Sequence, residues 1–136
     1  MLCVRNLEGD ILSEVVENGM SSQGLMINET RGAKGEYLYE SNHGPLTRHF
    51  LEFSDGKDCM SNPSATIYVW ALALRRAAEI DSDLKLKSFS EHLIESLHLT
   101  VDRDRVITQD LASQKSMTIP VHENKYVTTD EFINHI

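Results

Sequence analysis

Apolar positions along the chain change their spacing twice, from helical to hairpin and back to helical. From Val4 to Gly19 the apolar residues Ile11, Leu12, Val15 and Val16 sit on an amphipathic run that opens after the turn residue Gly9, starts at Asp10 and stops at Asn18-Gly19. That is helical spacing closed by a glycine. From Leu25 to Ser41 the pattern switches to a hairpin. Leu25-Met26-Ile27 forms one apolar side, Arg31-Gly32-Ala33-Lys34-Gly35 supplies a glycine-rich turn, and Tyr37-Leu38-Tyr39 returns with its tyrosines two apart on one sheet face. After Asn62, read as a helix cap with Pro63 at the first helical position, the spacing is helical again. Ile67, Trp70, Ala71, Leu74, Ala77 and Ala78 mark one face, with Trp70 as a core anchor and Arg75 and Arg76 opposing the helix dipole. A second helix is expected from Asp83 to His98, burying Leu84, Leu86, Phe89, Leu93, Ile94 and Leu97, with His92 and His98 structural.

Between hairpin and helices lies a polar, turn-prone run from Glu40 to His49, with Phe50-Leu51-Glu52-Phe53 leading out of it. It gathers a glycine, a proline, a hydroxyl, an arginine and two histidines. A fixed guanidinium beside further donors just after a strand suits a phosphorylated ligand, although most polar loops of this kind carry no chemistry. On the first helix Asp10 and Glu14 are four residues apart, so both carboxylates leave one face. Such a pair suits Mg²⁺ or Mn²⁺, and equally an acidic, solvated first turn.

Composition narrows the class. The 136 residues allow one domain with a modest core, and 40% hydrophobic with 25% charged residues is ordinary for a folded protein. A net charge of −8 opposes general affinity for nucleic acid or anionic membrane, and no apolar run approaches spanning length. Cys3 and Cys59 have no metal-ligand spacing, and the first residues carry neither a signal-peptide core nor an arginine-rich transit helix. A cytoplasmic location is the expectation, with a mitochondrial one left open.

The run His43-Gly44-Pro45-Leu46-Thr47-Arg48-His49, followed by Ser61-Asn62-Pro63-Ser64-Ala65, resembles the cofactor loop of NADP-dependent isocitrate dehydrogenase. Gly9, Asp10, Glu14 and Ser22-Gln23-Gly24-Leu25-Met26 resemble the metal-binding stretch of the same family. Ile107-Thr108-Gln109-Asp110-Leu111-Ala112 and Tyr126–Phe132, with its threonine cap and acidic first turn, resemble two further family segments. The likeness runs along almost the whole chain. It implies the C-terminal part of the isocitrate/isopropylmalate dehydrogenase fold, an α/β mixed sheet covered by helices and incomplete relative to the family. Residues 1–61 then hold the metal helix, hairpin and cofactor loop, and residues 62–136 the helical part.

The resemblance implies roles as well. Arg48 and His49 face the 2′-phosphate of NADP, Asn62 lies on the adenine side, Asp110 lies near the adenine, and Asp10 and Glu14 ligate Mg²⁺ or Mn²⁺. Three positions depart from the family: Glu14 stands where it has aspartate, Pro45 where it has threonine, and Gln109 where it has lysine. Proline removes one backbone donor from the loop. The family activity is oxidative decarboxylation of isocitrate to 2-oxoglutarate. The groups that grip isocitrate, and the tyrosine and lysine used as acid and base, belong to the family's N-terminal part, so no catalytic residue is assigned here and the chain alone is expected to be inactive. Expected partners are isocitrate, through that N-terminal half, and another copy or a full-length dehydrogenase chain. The alternative is a truncated, non-catalytic paralogue acting as a nucleotide-binding or assembly module.

Overall fold

The computed structural model describes residues 3–20, 27–41, 46–112 and 126–136. Helix α1 spans Asn6–Met20, strands β1 and β2 span Ile27–Arg31 and Tyr37–Ser41, and helices α2, α3 and α4 span Thr47–Ser54, Ser64–Asp81 and Leu84–His98. The chain then widens into a π-helical turn, Leu99–Arg103, and ends with two short helices, α5 (Gln109–Ala112) and α6 (Thr129–Asn134). The class is α/β and rich in helix. Among the described residues the sheet is one antiparallel hairpin, and a separate parallel bridge joins Thr108 to Val127.

The hairpin forms in the expected place. Ile27 pairs with Ser41 and Arg31 with Tyr37, so the turn occupies 32–36. Gly35 adopts φ 88°, a left-handed value that glycine reaches without a Cβ clash. The Gly32 N–H donates to Glu36 O at 2.8 Å, and the Lys34 N–H to Glu36 Oε2 at 3.0 Å, which closes the turn. Leu25 and Met26, read as part of the first strand, lie outside the described residues.

Helix α1 begins earlier than its sequence suggests. Gly9 is not a turn but lies inside the helix, its N–H donating to Arg5 O at 2.7 Å, and the helix runs on to Met20. A helical glycine costs only about 1 kcal/mol relative to alanine, which the flanking helix formers offset. Val4 packs at Gly9, where an added Cβ would meet its Cγ2 at 3.1 Å.

Helices α3 and α4 form the body of the molecule, and α3 covers both strands. The buried positions on these two helices are mostly small: Ala65, Ala71, Ala78 and Ser64 on α3 and Ser90 on α4, alongside Leu72 and Leu97. Trp70 is not a core anchor; it is 63% exposed, because the buried stripe passes through Ala71 and Leu72 instead. Leu84 and Phe89 also turn outward, leaving Leu97 as the fully buried apolar residue of α4. The α4 start follows from chemistry: Asp83 Oδ1 accepts from the Lys85 and Leu86 N–H groups at 2.9 and 3.0 Å. Arg76 does not serve the helix dipole, since α3 continues to Asp81 and its NH1 donates to Glu79 Oε2 at 2.9 Å.

The C-terminal turn packs into a second cluster with Ile107, Leu111 and Phe132 buried. Thr128 and Glu131 form a reciprocal capping box at the start of α6. The Thr128 N–H donates to Glu131 Oε2 at 2.8 Å, and the Glu131 N–H donates to Thr128 Oγ1 at 3.2 Å. The backbone and hydroxyl of Thr128 hold the Glu131 carboxyl below its ordinary pKa.

Two outcomes follow. A carboxylate with a lowered folded-state pKa stabilises above its unfolded pKa, about 4.3, and that contribution disappears as pH falls through the folded value. Thermal melts should show Glu131→Gln less stable than wild type at pH 7, with a smaller further loss on acidification. Phe132→Ala, at a fully buried site, should lower unfolding free energy by about 3–5 kcal/mol in urea titrations.

Candidate functional site

The polar loop is not a loop throughout. Thr47, Arg48 and His49 form the first turn of α2, which extends to Ser54 and includes the segment read as leading out of the loop. No side-chain cap marks its start at Leu46, so the boundary has no sequence signal. Its end does have one: Gly56 at φ 79° closes a glycine-ended stop, with its N–H on Phe53 O and the Lys57 N–H on Glu52 O, both 3.0 Å.

Winding these residues into a helix places Glu52 one turn below both Arg48 and His49. Arg48 Nε lies 3.8 Å from Glu52 Oε1, and His49 Nδ1 lies 3.6 Å from Glu52 Oε2. The Arg48 side chain is 78% exposed, so one loose ion pair leaves most of its donors facing water. His49 is largely buried, and its Nδ1 has no hydrogen-bond partner. Thr47 is exposed beside them.

His49 lines a cleft of about 430 Å³ between α2 and the start of α6. Phe50 and Phe53 form its apolar side, Lys57 and Cys59 its polar side, and Thr129 its floor. Thr129 fixes that floor. Its N–H donates to Cys59 O at 2.9 Å, and its hydroxyl lies 2.7 Å from Ser61 O and 3.1 Å from Cys59 O. Burial pushes the Cys59 thiol up, but hydrogen bonds from Thr129 and Ser61 outweigh it, and the net shift is downward. Cys59 and Thr129 were not legible as neighbours, because 70 residues separate them.

Asn62 is buried, and its Oδ1 accepts from the Ser64 N–H at 3.0 Å and the Ser64 hydroxyl at 2.6 Å. The cap position falls on Pro63 rather than on Asn62, so Asn62 lies one residue outside the expected place and reaches the first helical N–H from there. Asp110 lies in α5 and Glu14 in α1, with both side chains outside the described residues, as are His43, Gly44 and Pro45 altogether. Asp10 is exposed on α1, and its Oδ2 accepts from Asn6 Nδ2 at 3.3 Å. No cluster of three metal-ligating side chains occurs among the described residues.

A hairpin covered by α3, followed by a helix whose first turn offers a half-free guanidinium and a histidine, defines an α/β segment able to receive an anion. The sequence model of the isocitrate/isopropylmalate dehydrogenase family matches residues 1–136. The chain belongs to that family. It is 32% identical over 137 residues to a peroxisomal NADP isocitrate dehydrogenase of Candida tropicalis, and 31% identical to a mitochondrial one from the same organism. It is 30% identical to a cytoplasmic NADP isocitrate dehydrogenase of Saccharomyces cerevisiae. Each alignment covers all of this chain but only 33%, 31% and 32% of the respective relative. The chain thus spans about a third of the length of the curated relatives it matches. Those relatives include peroxisomal, mitochondrial and cytoplasmic forms, and no helix among the described residues is long and apolar enough to cross a membrane.

The thiol makes a direct check on the cleft. In a Cys3→Ser background, Thr129→Val should move the pH midpoint of Cys59 alkylation by iodoacetamide upward, toward that of an ordinary thiol.

Proposed function

We propose that this chain is the C-terminal section of an NADP-dependent isocitrate dehydrogenase and contributes the adenosine end of its cofactor site. The whole enzyme would oxidise and decarboxylate isocitrate to 2-oxoglutarate with reduction of NADP. The observation that carries this reading is the first turn of α2. Arg48 projects into solvent with a single loose carboxylate contact, beside a histidine whose Nδ1 is buried without a partner. A guanidinium fork complements phosphate oxygens and keeps its charge at every physiological pH. Arg48 and His49 would receive the 2′-phosphate, Thr47 and Leu46 would line its approach with His43, Gly44 and Pro45, and Asp110 would lie near the adenine. Asn62 would act on the adenine side through the helix start it orders, since its Oδ1 is already held by Ser64.

Asp10 and Glu14 would supply two carboxylates to Mg²⁺ or Mn²⁺ from one helical face. Two oxygen donors with open remaining positions fit an ion that keeps several waters and shares its site with substrate. Such an ion, when bound, polarises a substrate hydroxyl or carbonyl. The remaining substrate groups, and the acid and base, would come from the other part of the enzyme, with another copy or a full-length chain as partner.

Calorimetric titration tests the cofactor half of this reading. Saturable binding of NADPH in preference to NADH is expected, with Arg48→Ala weakening NADPH roughly 10- to 100-fold and leaving NADH unchanged. Glu52→Gln, which removes the carboxylate that sits against Arg48 and His49, should tighten NADPH. Equal binding of the two nucleotides, or indifference to Arg48→Ala, would overturn the assignment.

A further inference from the structure

The seam between the hairpin and α3 holds a second concentration of charge that the cofactor reading does not use. Antiparallel register sets Glu29 opposite Tyr39 and Arg31 opposite Tyr37, so four polar side chains share one face of the two strands. The tyrosine rings stack at 6.1 Å with 12° between their planes. Helix α3 lies over that face. Arg76 places its guanidinium carbon 4.2 Å from the centre of the Tyr37 ring, while Arg31 approaches the same ring at 5.5 Å. Between strand and helix is a polar pocket of about 170 Å³, with Arg75 and Glu79 completing its wall.

Its charges do not cancel. Glu29 Oε1 pairs with Arg31 Nε at 2.6 Å, and Glu79 Oε2 pairs with Arg76 NH1 at 2.9 Å. Both carboxylates are thereby engaged. Arg75, half-buried, has no hydrogen-bond or ion-pair partner among the described residues, and Arg76 Nε is buried without an acceptor. Three guanidiniums against two carboxylates reverse the balance of a chain with 21 acidic and 13 basic residues. An anion lodged there would meet the unpaired Arg75 guanidinium and give the buried Arg76 Nε–H an acceptor.

We propose that this pocket binds a small oxyanion, a phosphate or carboxylate group, through Arg75 with support from Arg31 and Arg76. The pocket is small and its lining almost entirely polar, which suits a compact anion rather than an aromatic or aliphatic ligand. Tyr37 holds two of the three guanidiniums in place through its ring, so little ordering is needed on binding. Glu79 competes with the anion for Arg76, which sets the affinity low and makes it adjustable. The pocket shares no residue with the first turn of α2, so either assignment stands without the other.

The test is nitrogen-15 NMR of the arginine Nε–H signals of the full chain, titrated separately with inorganic phosphate, acetate and chloride. Saturable shifts of Arg75 and Arg76 with phosphate or acetate, and none with chloride, are expected. The oxyanion that saturates at the lower concentration identifies the natural group as phosphate or carboxylate. Arg75→Gln should weaken binding about tenfold, Arg75→Lys should recover part of the loss, and Glu79→Gln should strengthen it. Arg48→Ala should leave these signals and their titration unchanged. Shifts that never saturate, or affinity indifferent to both Arg75→Gln and Glu79→Gln, would overturn the proposal.

Discussion

The C-terminal helix is tied to the middle of this chain at Thr129. One backbone N–H and one hydroxyl from the start of α6 meet the carbonyls of Cys59 and Ser61, nearly seventy residues back in sequence. Those carbonyls belong to the short connection between α2 and α3. Removing the tie would leave polar backbone groups of that connection without partners, and such groups are costly when buried. Everything around it depends on the same point. Asn62 within that connection orders the first turn of α3, and α2 and the start of α6 flank the cleft beside His49.

Local chemistry explains which elements were legible from sequence. The threonine cap and acidic first turn of α6 are contacts across three residues and appear in the structure as the sequence implies, while Asp83, expected to open the second helix, turns out to be its cap. The hairpin turn was equally legible, because Gly35 satisfies a positive φ. Helix α2 was not. It lacks a side-chain cap and places Phe50, Leu51 and Phe53 in an order that fits a lead-out as readily as a helix. Trp70, Leu84 and Phe89 show the other limit: helical periodicity identified the helices, but the choice of buried stripe was made by packing against α4 and the hairpin.

The candidate site divides in the same way. Arg48 and His49 are adjacent, so their association needed no structure. Their shared partner Glu52 became visible only when the run was found to be helical, since three- and four-residue spacings become neighbours only on a helix. The hairpin tyrosines were rightly placed on one face, but of the two arginines that meet Tyr37 only Arg31 lies on the hairpin, and Arg76 comes from a helix some forty residues later. The geometry adds that one carboxylate, Glu52, already sits between Arg48 and His49.

Among the described residues, eight apolar side chains are fully buried, and three of them are alanines. Beside them lie Ser64, Ser90, Thr100 and Thr108, hydroxyl residues buried to the same degree. Such an interior removes little hydrocarbon from water for its size. Because the heat-capacity change of unfolding follows exposed apolar surface, its stability should vary only gently with temperature. A shallow curve of that kind resists cold unfolding and gives a broad melting transition, a signature that belongs to the alanine- and hydroxyl-rich interior as a whole rather than to any single bond.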